Sequence, residues 1–163
     1  MRLYFLRHAS ASDVAVSDAE RALTNHGKEE ARIAGAALHE LGVEPARVFT
    51  SPLLRAQQTG AIAADAMKIP ASHVEVIDEL DVGQSSMALF RALKSTDEAD
   101  EIVLVGHMPS LVEHIGALIG AKGAVGLSLG KGSIACVEAG QLKVGAGELR
   151  WLMRQKQLAK IAR

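Results

Sequence analysis

Arg7-His8, Arg55 and Gly106-His107 are the residues of this chain whose types and spacing could do chemistry. Each set follows a short apolar run. Arg7-His8 closes residues 3–6. Ser51-Pro52, with Arg55 one helical turn on, follows Val48-Phe49-Thr50. Gly106-His107 closes residues 102–105. Brought together, two imidazoles and two guanidinium groups suit a phosphoryl group. Arginine supplies forked donors that match phosphate oxygens and keeps its charge at any working pH. A neutral histidine can attack phosphorus and carry it covalently. A second histidine can donate to the equatorial oxygens, where transition-state charge is spread.

The elements that must position these residues can be read from periodicity. Residues 3–6 read as a buried strand delivering Arg7 and His8 at its carboxyl end. Residues 9–21 are small, polar and acidic and read as a loop. Thr24 is placed to cap a helix running to about Leu41, with Ala31, Ala34, Leu38 and Leu41 as its apolar stripe and Gly42 as its stop. Strands are expected over 47–50, 74–77 and 102–105. Helices are expected over 53–67, 87–93 and from Pro109 to about 119. Residues 133–138 and 147–152 read as two further strands, joined too closely for a parallel crossover and so antiparallel. Residues 118–132 are rich in glycine and small side chains and read as irregular. The basic end, 154–163, reads as a solvated tail. Strands alternating with helices imply an α/β fold: a three-layer αβα sandwich, its sheet mostly parallel with an antiparallel edge. Ligands of such sheets gather at the carboxyl ends of the strands, where these residues lie.

Composition narrows the function classes. A length of 163 residues suits a single domain, 1–163. Aromatic residues are 3% and the net charge is −1, which argues against a stacking surface or a basic field for nucleic acid. The single cysteine, Cys136, excludes an intramolecular disulfide and sits in an apolar strand context that reads as core. No apolar run approaches membrane-spanning length, and Arg7 and His8 come too soon for a signal-peptide core. A reduced, cytoplasmic compartment is the expectation.

Three stretches carry a resemblance: Leu6-Arg7-His8-Ala9, the run from Ser51-Pro52-Leu53-Leu54-Arg55 to Thr59, and Val105-Gly106-His107. In order and spacing they resemble the histidine phosphatase superfamily, the phosphoglycerate-mutase-like proteins. The segment from Arg21 to Gly27 and the short length resemble its SixA-type branch, the protein-phosphohistidine phosphatases. The resemblance implies a phosphoglycerate-mutase-like fold and a role for each residue. His8 would be the nucleophile that becomes phosphohistidine. Arg7 and Arg55 would clamp the phosphoryl oxygens, and His107 would complete the pocket. Arg21 would support the phosphate or the nucleophile loop. Water would then hydrolyse the phosphoenzyme without metal or cofactor. Glu79 falls about where family members carry the acid that protonates an alkoxide leaving group. The family's usual glycine after the nucleophile is Ala9 here, tolerable unless that position needs a positive φ.

The resemblance further implies a phosphatase acting on phosphohistidine in a partner protein, such as a phosphotransfer domain, in signal transduction. A chain this short leaves little sequence for a lid, which suits a side chain displayed on a folded partner. Two alternatives stand: a phosphatase for small phosphate monoesters, and a phosphate-binding module without turnover. Arg21 also reads as a loop charge or an ion pair with Asp18 or Glu20, and Glu79 as a surface acid. Ser51, beside Pro52, reads as a turn residue. His26, His39, His73 and His114 show no metal-ligand spacing. The glycine-rich stretch with Lys122 and Lys131 lacks the spacing of a nucleotide cradle.

Overall fold

The computed structural model describes residues 1–96, 98–122 and 126–163. Six strands form one sheet: β1 (Arg2–Arg7), β2 (Arg47–Thr50), β3 (Val74–Val76), β4 (Glu101–Gly106), β5 (Ile134–Ala139) and β6 (Gly147–Met153), in spatial order β3-β2-β4-β1-β5-β6. The first four run parallel. β5 pairs antiparallel with β1, and β6 with β5. The helices are α1 (Asn25–Glu40), α2 (Leu54–Ala66), α3 (Ser86–Ala92), α4 (Ser110–Ile119) and α5 (Gln155–Ile161).

Alternation along the central strands assigns helices to faces. Leu3 and Phe5 of β1, with Ile102 and Leu104 of β4, pack on Leu89 and Phe90 of α3 and Leu111 and Ile115 of α4. Tyr4, Leu6, Val103 and Val105 point the other way, onto Ala34 and Leu38 of α1, Ala56 and Ala63 of α2 and Leu158 of α5. Few aromatics are needed because alanine lets the helices come close. A Cβ at Gly35 would lie 2.3 Å from the Ala63 carbonyl oxygen, so α1 and α2 touch backbone to backbone there. The αβα layering with an antiparallel edge is as expected.

Thr24 caps α1 as expected, its hydroxyl accepting from the Gly27 N–H at 3.0 Å. The solvated tail is corrected. Residues 155–161 form α5, whose Leu158 is fully buried. Burying a leucine is worth about 1.5–3 kcal/mol, which outweighs leaving a short basic helix in water. Gln155 fixes its position by donating to the carbonyls of Glu30 (2.9 Å) and Gly132 (2.7 Å). Of the segment read as irregular, residues 123–125 lie outside the described residues. α4 ends at Gly120, which is left-handed at φ 72°. Among the described residues no helix is long and apolar enough to cross a membrane, and no three His, Cys, Asp or Glu side chains gather as a metal site.

Candidate active site

Register places the site. β1 pairs with β4 so that Arg7 stands opposite Gly106, and β2 pairs with β4 so that Thr50 stands opposite Val105. The residues that follow therefore meet at one edge. The His8 N–H donates to the Gly106 carbonyl at 2.9 Å, and the Ser51 N–H to the Val105 carbonyl at 3.0 Å. The His8 and His107 ring centroids are 5.0 Å apart, with their planes tilted by 48°. His8, Arg55 and His107 are all buried, and Arg7 is half-buried.

Hydrogen bonding sets the state of His8. His8 Nδ1 lies 2.8 Å from the Ala9 carbonyl oxygen, which can only accept. Nδ1 therefore carries the proton, and the lone pair sits on Nε2. Burial, with the Arg55 and Arg7 charges and His107 nearby, pushes the His8 pKa down to about 4. The ring is neutral, and so nucleophilic, at any ordinary pH. Burial and Arg55 likewise push His107 to about 4. Burial also lowers the pKa of Arg7, but from so high a starting value that its guanidinium stays charged. Arg7 Nη1 donates to the Leu129 carbonyl at 2.8 Å. Arg7 Nε, Arg55 Nε and His107 Nδ1 are buried and have no partner among the described residues. Buried polar groups are nearly always paired. An oxyanion is a ligand that could satisfy such donors.

Arg21 sits one step away. Its Nε donates to the Ser12 carbonyl (2.9 Å), Nη1 to Asp18 (3.2 Å) and Nη2 to Asp13 (3.1 Å). Asp18, on a short 3-10 helix Asp18–Glu20, bridges onward. Its carbonyl accepts from Arg55 Nη1 at 2.9 Å and its Oδ2 from Arg55 Nη2 at 3.2 Å. Hydrogen bonds from Arg21 and then Arg55 hold its pKa below the usual carboxylate value. The loop thus rests on Arg55, while Val14 and Val16 at its tip are almost fully exposed.

Glu79 lies on the 3-10 turn Asp78–Leu80 after β3, at the same end of the sheet, half-buried. Among the described residues it makes no hydrogen bond or ion pair with His8, Arg7, Arg55 or His107. Ala9 has no positive φ, since Lys68 is the one described non-glycine residue that does, so alanine is unstrained there.

Three further residues shape the site. Ser51 Oγ lies 2.7 Å from His107 Nε2, so the serine is more than a turn residue. Thr59 Oγ1 donates to the Arg55 carbonyl (2.6 Å) and accepts from the Ala9 N–H (3.0 Å), tying the loop after β1 to α2. Glu30 accepts from the Ser10 N–H at 2.7 Å and pairs with His26. Cys136 is buried, its pKa pushed up to about 11 by burial, and the surface cavity of about 420 Å³ lined by Met1, Lys94 and Gln141 is at the opposite end of the sheet.

The sequence pattern of the histidine phosphatase superfamily, branch 1, matches residues 3–109, a span that holds all four of these residues. This chain belongs to that superfamily. Its relatives make it SixA-type. The phosphohistidine phosphatase SixA of Escherichia coli is 37% identical over 113 residues, covering 67% of this chain and 68% of SixA. An uncharacterized protein of Picosynechococcus is 35% identical over 150 residues, 90% of each chain. The structure of the protein histidine phosphatase SixA complexed with tungstate superposes with a TM-score of 0.88 at 28% identity, covering 97% of this chain and 99% of that one. With that similarity this SixA-type chain is a phosphatase, and the convergence of Arg7, His8, Arg55 and His107 has a reaction to perform.

Proposed function

We propose that the protein removes the phosphoryl group from phosphohistidine on a partner protein, through a phospho-His8 intermediate. One observation carries the reading: a buried neutral His8, its Nδ1 committed to the Ala9 carbonyl, its ring centred 5.0 Å from that of His107, with the Nε donors of Arg7 and Arg55 unpaired among the described residues. The Nε2 lone pair attacks phosphorus as the P–N bond of the substrate breaks. That electron pair returns to the substrate ring, which leaves as neutral imidazole once its other nitrogen is protonated. Phosphorylated His8 carries positive charge, and its Nδ1–H bond to the Ala9 carbonyl disperses it. Water then attacks phosphorus, the Nε2–P bond breaks, and phosphate leaves with the water oxygen. Arg7, Arg55 and His107 hold the three oxygens through both steps.

Exchanging one P–N bond for another is nearly balanced, so this substrate makes little demand on a leaving-group acid. Glu79, with no hydrogen bond or ion pair to the four residues among the described ones, fits that reading. It would matter for an alkoxide leaving group. Similarity to a phosphohistidine phosphatase and to a structure holding tungstate, a phosphate-shaped oxyanion, supports the same substrate class. The partner is a histidine-phosphorylated protein such as a phosphotransfer domain, and the context is signal transduction.

The test compares turnover of a phosphohistidine protein with turnover of aryl and sugar phosphates, in the wild type, His8→Ala and Glu79→Gln. The expected result is an acid-labile phosphoenzyme that His8→Ala abolishes, preference for the phosphohistidine protein, and that activity retained in Glu79→Gln. Preference for small esters, with loss in Glu79→Gln, would replace the reading with a monoesterase. Phosphate binding without turnover on any donor would make the chain a recognition module.

A further inference from the structure

We infer that Ser51 is a positioning residue that sets the tautomer of His107, so that His107 presents an N–H, rather than a lone pair, to the phosphoryl oxygens. This deepens the reaction proposed above and rests on it for the identity of the ligand.

The inference comes from counting protons and lone pairs. A neutral imidazole has one donor and one acceptor nitrogen, and a hydroxyl has one proton and two lone pairs. Ser51 Oγ lies 2.7 Å from His107 Nε2 and accepts from the Leu53 N–H at 3.2 Å. Ser51 is fully buried, and among the described residues its hydroxyl has no other partner. If Nε2 carried the proton, Oγ would receive two N–H donors and its own proton would have no acceptor. His107 Nδ1, also buried and unpartnered, would then turn a lone pair toward an anion. If the serine proton goes to Nε2 instead, every group is satisfied except one, the N–H on Nδ1. A phosphoryl oxygen satisfies that one, because such oxygens only accept.

The serine is well placed to enforce this choice. Its N–H is tied to the Val105 carbonyl at 3.0 Å, two residues before His107, so both partners hang from the paired ends of β2 and β4. The register fixes the separation of the two backbones, and the Leu53 N–H on Oγ helps hold the serine side chain toward His107. Ser51 does not touch phosphorus; it decides whether the nitrogen of His107 that meets the phosphoryl group carries a proton.

The experiment reads the tautomer directly, by ¹⁵N NMR of the imidazole of His107 in the full chain at neutral pH, without substrate. The wild type should show a protonated Nδ1 and an unprotonated Nε2, and adding tungstate should shift the Nδ1–H signal. In Ser51→Ala the two tautomers should mix, with kcat down roughly 2- to 10-fold and KM changed far less, since only the fraction with a proton on Nδ1 still donates to the developing charge. Ser51→Thr, which keeps the hydroxyl, should restore the tautomer and most of kcat. A wild-type His107 protonated on Nε2 would overturn the inference, as would a Ser51→Ala enzyme with unchanged tautomer and kcat. The resonance needs no substrate, so a wrong substrate assignment would leave this result standing.

Discussion

Gly27→Ala isolates how the loop that follows His8 is held. Gly27 is in the first turn of α1, and a Cβ there would lie 1.9 Å from the Ser10 carbonyl oxygen. Contacts below 3.0 Å are essentially never tolerated, so helix and loop must separate by about 1 Å. The loop cannot simply yield. The Ala9 N–H is bound to Thr59, the Ser10 N–H to Glu30, and the Ser10 carbonyl accepts from the Thr24 N–H at 3.0 Å. Alanine should gain about 1 kcal/mol of helix propensity. Overpacking costs about 1–3 kcal/mol, and each strained hydrogen bond about 1 kcal/mol more. With all three bonds strained the net is a loss of about 3–5 kcal/mol, a fall in Tm of about 6–20 °C for a chain of this size. Ser10 is two residues from His8, and a shift of about 1 Å at a nucleophile costs on the order of 100-fold in rate. Gly35→Ala is the control. Its Cβ would strike the Ala63 carbonyl between α1 and α2, away from His8. Thermal melts and steady-state kinetics on both variants should show a similar drop in Tm but loss of kcat in Gly27→Ala alone. Full kcat in Gly27→Ala, or equal loss of kcat in both, would refute the reasoning.

Three other outcomes are expected. His8, His107 and His114 are each pushed to about 4 by burial, below the ordinary histidine value. Between about pH 6.5 and pH 4 the unfolded chain binds more protons than the folded one, so stability should fall as pH falls through that window; urea midpoints across it would detect this, and a flat profile would count against three neutral buried rings. Asp18→Asn removes the charge that shares Arg55, and tungstate or phosphate should bind roughly 2- to 5-fold tighter by calorimetry. Weaker binding would instead make Asp18 a support for Arg55. Cys136, buried and with its pKa near 11, should resist thiol reagents in the native protein and react fully in denaturant.

The parts of the site legible in the sequence were those that local pattern determines. Short apolar runs ending in Arg7-His8, Ser51-Pro52 and Gly106-His107 announced both the strands and the edge where they meet, because a parallel sheet aligns its carboxyl ends. Thr24 announced α1, because a cap is a local event. What could not be read depended on contacts across long separations. Asp18 could be seen as a partner for Arg21, its near neighbour, but its hold on Arg55, 37 residues on, is set by where the loop folds back. Ser51 looked like turn chemistry because its partner is 56 residues away. The last helix looked like a solvated tail because its one fully buried residue, Leu158, finds its cover on α1 and the sheet.

The pairing of β1 has a consequence for dissection of the chain. The superfamily pattern ends at residue 109, yet β1 is hydrogen-bonded on its other side by β5, 134–139. The Arg7 N–H donates to the Ser133 carbonyl, and the Gly132 N–H returns a bond to the Arg7 carbonyl, both at 3.1 Å. The segment that bears the signature is therefore not a unit that can stand alone. On a ribosome His8 emerges well before residue 139, so β1 is flanked on both sides only once that later segment has been made. A fragment cut at 109 would keep every signature residue and expose one whole edge of the strand that presents them.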